Sequence, residues 1–157
     1  LGSNEEDYTT DAEKVFDDTL DFKLGKAIRI REGKDVTLIA SGIEVARAIE
    51  AAEILGQEGI DARVVNIHTW KPIDKDEIIA CAKETGAIVT CENHNVINGL
   101  GSAVAEVLVQ NLPVPMRMVG VKDEFGQVGK NAYLSEVYHL TAQDIVENAK
   151  AVLAQKR

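Results

Sequence analysis

"DVTLIASGIEVARAIEAAEILGQEGIDARVVNIHTW", residues 35–70, decides the fold. Its first seven residues are a strand-length run rich in Val, Leu and Ile. The next eighteen place Val45, Ile49, Ala52 and Leu55 near helical spacing and end on Gly59, a residue suited to the left-handed position that stops a helix. "DARVVNIHTW" (61–70) is then a second buried run. Strands this continuously apolar are covered on both faces, and a helix between them supplies the crossover that parallel pairing needs.

The same alternation continues to the end of the chain. "KPIDKDEIIACAKETG" (71–86) reads as a helix, with Pro72 before it, Asp74 as its cap, Glu77 three residues on and Gly86 as its terminator. "AIVTCEN" (87–93) and "GLGSAVAEVLVQNL" (99–112) form the next strand and helix. "VPMRMVGV" (114–121) is a further strand, and "TAQDIVENAKAVLAQK" (141–156) is a last helix capped by Thr141 with Asp144 at the capping-box position. "KAIRIRE" (26–32) comes too close to Val36 for a crossover and is expected as an antiparallel edge strand. The pattern predicts an α/β fold with a mainly parallel sheet covered by helices.

Bulk properties narrow the function classes. A chain of 157 residues fits one domain, and at this size about 68–70% of the unfolded surface is buried on folding. With 45% hydrophobic and 27% charged residues it has an ordinary globular composition. A formal charge of −9 argues against nucleic acid and against anionic membranes, both of which need clustered Lys and Arg. Cys81 and Cys91 are too few for a disulfide framework, and Cys81 falls on the apolar face of its helix, so a reducing, cytoplasmic setting is expected. The opening residues are acidic and lack an apolar run, so no secretory signal is expected in them. The first three or four residues read as a cloning scar, and residues 5–21 carry eight Asp or Glu against Lys14 alone, which suits a solvated linker or an acidic interaction arm. The division expected is therefore a tail over 1–21 and a folded domain over 22–157.

"TCENHNVINGLGSAVAEVL" (90–108) is the one stretch dense in chemical groups. It lies at the carboxyl end of a strand and leads into a helix, where α/β proteins gather their sites and where unpaired N–H groups can hold an anion. A dinucleotide fingerprint fails, because Val104 stands where a third small residue is needed after Gly99 and Gly101, and no acid for a ribose follows at the right distance. Cys91, Glu92 and His94 lie within four residues, but side chains splayed from one strand end rarely converge into a nucleophile and its base. Zinc needs three or four converging ligands, and His68 and His139 come from other segments. Hydrogen-bonded polar residues at a loop or domain interface are the reading that remains for all three histidines. An anion on the N–H groups of the Gly99–Ser102 turn stays open.

Four stretches in order carry a family resemblance: "GKAIRIREGKDVTLIASGIEVARAIEAAEIL" (25–55), "HTWKPIDKDEI" (68–78), "ENHNVINGLGSAVAE" (92–106) and "EFGQVGKNAYLSEVYHLTAQDI" (124–145). Together they resemble the C-terminal domain of transketolases over about residues 22–155. Related domains occur in deoxyxylulose-phosphate synthase and in 2-oxoacid dehydrogenase beta subunits. Glu92 and His94 agree with the family pattern, and "DEFGQVG" (123–129) looks most like the transketolase version. Val128 replaces a serine of that pattern, Asn98 a usual glycine, and Asn93 a commonly acidic residue.

The resemblance implies a three-layer α/β/α domain around a five-stranded, mostly parallel mixed sheet with one antiparallel strand. It also implies a parent enzyme, a homodimer using thiamine diphosphate and Mg to move a two-carbon ketol unit from a ketose phosphate to an aldose phosphate. In that family the cofactor sits on an upstream domain marked by Gly-Asp-Gly, which this chain lacks. No catalytic, cofactor or metal residue is then expected here, and the partners expected are the other transketolase domains or subunit. Glu92, His94, Gly99, Gly101 and Ser102 form a candidate anion or interface turn. Asp123, Phe125 and Gly126 form a candidate interface, in which the Phe125 ring either meets a neighbour or caps this domain's own core. The rival readings are a free-standing regulatory or anion-binding module and a piece of one of the two related enzymes.

Overall fold

The computed structural model describes residues 20–156. The acidic tail expected over 1–21 lies outside the described residues apart from its last two positions.

Five strands, β1 (Ile28–Arg31), β2 (Val36–Ala40), β3 (Ala62–Asn66), β4 (Ile88–Asn95) and β5 (Met116–Val121), form one sheet in the order β1-β3-β2-β4-β5. The β2–β3, β2–β4 and β4–β5 pairs are parallel, and β1 is the antiparallel edge, with Ile28 opposite Asn66 and Arg29 opposite Val65. The helices are α1 (Glu44–Gln57), α2 (Lys75–Thr85), α3 (Leu100–Asn111), α4 (Asn131–Val137) and α5 (Ala142–Leu153).

Strand alternation splits the core into two layers. Val36, Leu38, Ala40, Val64, Val89 and Cys91 turn to one face and pack on α1 and α5. Ile39, Val65 and Ile88 turn to the other and pack with Ile78 and Cys81 of α2 and Leu100, Val104 and Val107 of α3. The α/β/α sandwich follows from these two buried faces.

β1 joins β3 rather than β2 because β2 already has a neighbour on each side. To reach its place the chain crosses the start of β3 at Gly33, where an added Cβ would lie 2.3 Å from the Ala62 carbonyl carbon and the Arg63 nitrogen. The crossing is fixed by the Lys34 and Asp35 N–H groups, which donate to the Asp61 carbonyl at 3.1 and 2.9 Å. Charge then guards the edge strand: Arg29 Nε donates to Glu77 at 2.5 Å. That pairing takes Glu77 away from the reciprocal capping role its spacing suggests. Asp74 still caps α2, accepting from Glu77 N at 3.3 Å and, through its other oxygen, from Ala27 N at 3.0 Å.

Helix ends otherwise follow the reading of the residues. Gly86 ends α2 at φ 68°, and α5 carries the full capping box of Thr141 and Asp144. Two features were not anticipated. β4 runs on to Asn95, two residues past the expected strand end, because Asn95 still pairs with Val121 after an irregularity in the ladder. The seven-residue α4 had no apolar periodicity to announce it, since Ser135 is its one buried residue.

Direction matters for the site. The carboxyl ends of β2, β3, β4 and β5 share one end of the sheet, and antiparallel β1 begins there, so the chain enters the domain at the same end.

Candidate functional site

Glu92 organises the carboxyl end of the sheet. Because β4 continues through it, Glu92 and His94 share one side of the strand and Cys91 faces the other, into the α1–α5 core. The Glu92 carboxylate is fully buried and accepts from the Leu100 N–H at 2.6 Å and the Gly101 N–H at 2.9 Å. It thus occupies the N-terminus of α3, where unpaired N–H groups and the helix dipole favour negative charge. His94 closes the pair from outside, with Nδ1 3.0 Å from Glu92 Oε2 and its ring edge-on to Trp70 at 4.9 Å between centroids.

The glycines here are needed for close approach. A Cβ on Gly99 would stand 2.0 Å from Glu92 Oε2, and one on Gly101 would stand 2.8 Å from both Thr90 Oγ1 and Met118 Sδ. Gly101 lies inside α3 with no left-handed backbone, so its role is to let the first turn settle onto β4 and β5. Asn98 holds the left-handed position at φ 61°, which explains why an Asn can stand where the family pattern has a glycine. Further contacts brace the turn: Asn98 N donates to Ser102 Oγ, Ser102 Oγ to the Val96 carbonyl, and Ile97 N to Asn95 Oδ1.

In the candidate anion or interface turn of Glu92, His94, Gly99, Gly101 and Ser102, the Leu100 and Gly101 N–H groups already hold an anion. The anion is the chain's own carboxylate, eight residues before the helix it caps. The Leu100 and Gly101 N–H groups are therefore not free to meet a diphosphate. Nor is there a donor set for its metal, because among the described residues no three His, Cys, Asp or Glu side chains come together to hold one. The three histidines are spread apart. His68 stacks on Phe22 at 4.3 Å, His94 pairs with Glu92, and His139 sits at φ 56° with Nδ1 3.2 Å from Asp144 Oδ1.

A second buried carboxylate, missed in the sequence, lies at the head of α1. Glu44 is fully buried, with Oε1 accepting from Arg47 Nη1 and Oε2 without a partner. Burial pushes its carboxyl up to about pKa 7, and the adjacent Arg47 guanidinium offsets only part of that. Arg47 Nη2 reaches across to Ser135 Oγ at 2.5 Å and Asn131 Oδ1 at 3.4 Å, which ties α4 to α1. Arg47, Asn131 and Ser135 line a cavity of about 210 Å³ with Asn93, Leu134 and Tyr138. The available signal was an acid placed one helical turn before Ala48 on the buried stripe of α1. Burial, and then the Glu44 and Glu92 charges, hold the Cys91 thiol well above its ordinary range, while burial pushes Cys81 up to about 11. Both thiols are buried, and burial disfavours the reactive thiolate.

The β5–α4 loop is open to solvent. Asp123 takes φ 52° and accepts from Asn95 Nδ2 at 3.3 Å, and Gly126 has no heavy atom within 4 Å of where a Cβ would stand. Phe125 is 99% exposed, so the core-capping alternative for its ring is excluded.

An α/β/α sandwich with an antiparallel edge strand and a strand end sealed from within is the class these features define. Residues 25–145 match the family described as transketolase, C-terminal domain, and the chain belongs to it. It is 54% identical over 136 residues to the 6-deoxy-6-sulfo-D-fructose transketolase subunit SqwH of Clostridium sp. (strain MSTE9), a match covering 87% of this chain and 42% of that protein. It is 43% identical over 128 residues to 1-deoxy-D-xylulose-5-phosphate synthase of Heliobacterium modesticaldum (strain ATCC 51547 / Ice1), covering 81% and 20%. Among solved structures it resembles a split-gene transketolase described as an inactive beta4 tetramer, with TM-score 0.87 and 49% identity over 91% of this chain and 47% of that one. The chain therefore spans less than half the length of these relatives.

Two measurements check this geometry. Gly101→Ala forces a methyl against Thr90 and Met118 and is expected to cost about 1–3 kcal/mol in urea unfolding; a stabilised variant would contradict the close approach. For Glu44, the folded protein keeps the proton up to about pH 7 and the unfolded chain only to the ordinary 4.5. The resulting stability is full below the lower value and lost as pH rises to the upper one. Wild type is expected to lose stability relative to Glu44→Gln across that window by at most about 1.4 kcal/mol per pH unit, whereas parallel profiles would show that the carboxyl titrates normally.

Proposed function

We propose that this chain is the non-catalytic assembly domain of a transketolase whose other domains or subunit hold thiamine diphosphate and a divalent metal. The observation that carries the reading is Glu92: at the glycine-rich helix start after β4, the Leu100 and Gly101 N–H groups are filled by the protein's own carboxylate. The resemblance to a subunit of one transketolase and to the split-gene structure supports a chain that completes a longer enzyme. The finished assembly is a homodimer of the combined parts. Two free, buried cysteines suit the reducing cytoplasm proposed for it. Among the described residues no helix is long and apolar enough to cross a membrane.

The reaction proposed for the assembled enzyme is transfer of a two-carbon ketol unit from a ketose phosphate to an aldose phosphate. A second donor deserves a direct trial, because the relative that is 54% identical is named for 6-deoxy-6-sulfo-D-fructose. The chain alone is expected to show no micromolar binding of thiamine diphosphate with Mg by calorimetry and no ketol transfer. Combined with its upstream domains it is expected to transfer the unit from fructose 6-phosphate or from the sulfonated ketose, and the faster donor identifies the substrate class. Micromolar cofactor binding by the chain alone would overturn the non-catalytic reading.

A further inference from the structure

Three large apolar side chains stand out at the carboxyl end of the sheet: Phe125 at 99% exposure, Val128 at 103% and Ile97 at 56%. A flexible loop would let such groups fold back onto the domain, but this one is pinned. The Phe125 carbonyl accepts from Tyr138 Oη at 2.9 Å, and Gln127 Oε1 accepts from Tyr133 Oη at 3.1 Å. Asn95 Nδ2 donates to Asp123 at 3.3 Å and Val96 N to the Val121 carbonyl at 3.0 Å, which joins the Ile97 turn to the Phe125 loop. α4, which begins at the end of that loop, is held by Arg47 through Ser135. The backbone thus keeps the side chains outward in a fixed shape, and holding a binding loop in shape beforehand removes much of the ordering cost of association.

Two observations identify the occupant. Antiparallel β1 starts opposite the carboxyl end of β3, and Phe22, just before it, packs on His68 at that same end. A body preceding this domain would be joined to it through β1, at the end that carries the exposed crest, and the relatives matched here have more than half of their length outside the match. The flanking charges fit a protein surface: Lys122, Asp123, Glu124 and Lys130 put both signs around the apolar centre, as in the polar rim of an interface. Anionic lipid is disfavoured by the net charge of −9.

We propose that Ile97, Phe125 and Val128 form the docking crest for the upstream half of the transketolase, with Phe125 as the buried anchor. This rests on the assembly reading and adds to it the surface used and the partner it meets. Burial of a central aromatic ring typically dominates such an interface.

The test compares the affinity of the upstream half for wild type, for Phe125→Ser combined with Val128→Ser, and for Val109→Ser. Val109 is 70% exposed in the last turn of α3, at the opposite end of the sheet, and serves as the control. The crest variant is expected to bind at least about tenfold more weakly, a loss typical of anchor truncation, with an unchanged urea midpoint and a silent Val109→Ser control. Normal binding by the crest variant would overturn the proposal while leaving the assembly reading intact. A crest variant that loses only self-association would also overturn it and identify a second copy as the occupant. No binding by wild type would overturn both readings at once.

Discussion

Two hydrogen bonds from the first turn of α3 to the Glu92 carboxylate govern the functional end of this domain. They satisfy N–H groups that a buried helix start would otherwise leave unpaired, and they place a negative charge where the dipole favours it. In return they make demands on the sequence around them. Gly99 must lack a side chain so that the carboxylate can approach, Gly101 must lack one so that α3 can lie on Thr90 and Met118, and Gly120 of β5 must leave room for Val96. His94 and Trp70 then cover the pair from the solvent side. A strand end that in other α/β proteins receives a phosphate is here sealed by the polypeptide itself.

Sealing that end changes what the surface beyond it can do. The Leu100 and Gly101 N–H groups are occupied and both thiols are buried. What projects from the carboxyl end is apolar and held in place. Arg47 links the buried Glu44 of α1 to Ser135 of α4, so the helix that ends the Phe125 loop is anchored to the core rather than free to swing. The domain thus presents exposed apolar side chains at the end where β1 begins.

Much of this was readable from the residues, for reasons specific to each element. β2 and β3 announce themselves because a parallel strand buried on both faces is a continuous apolar run, and β1 does so because four residues cannot cross a sheet. Asp74, Gly86 and Thr141 mark helix ends through side-chain and backbone chemistry that acts over three or four residues. Interactions between distant residues were not readable. Arg47 and Ser135 are 88 positions apart, and α4 is too short and too exposed to show a period. The "ENHNVINGLG" stretch is legible as a strand-to-helix junction, yet in the sequence its acid is one polar group among several at a candidate anion or interface turn. Its true partner, the helix start eight residues later, depends on how far β4 extends and on how closely Gly99 lets the chain return.

The central claim is that Glu92 holds the domain together and takes no part in the chemistry of the assembled enzyme. The most direct test is kcat for ketol transfer by assembled enzyme carrying Glu92→Gln, normalised to the fraction assembled and paired with the urea midpoint of the chain. An unchanged normalised kcat with a lowered midpoint is the expected result, since charge-assisted hydrogen bonds of this kind are worth about 1.5–3 kcal/mol. A normalised kcat that falls while the midpoint stays at the wild-type value would contradict it.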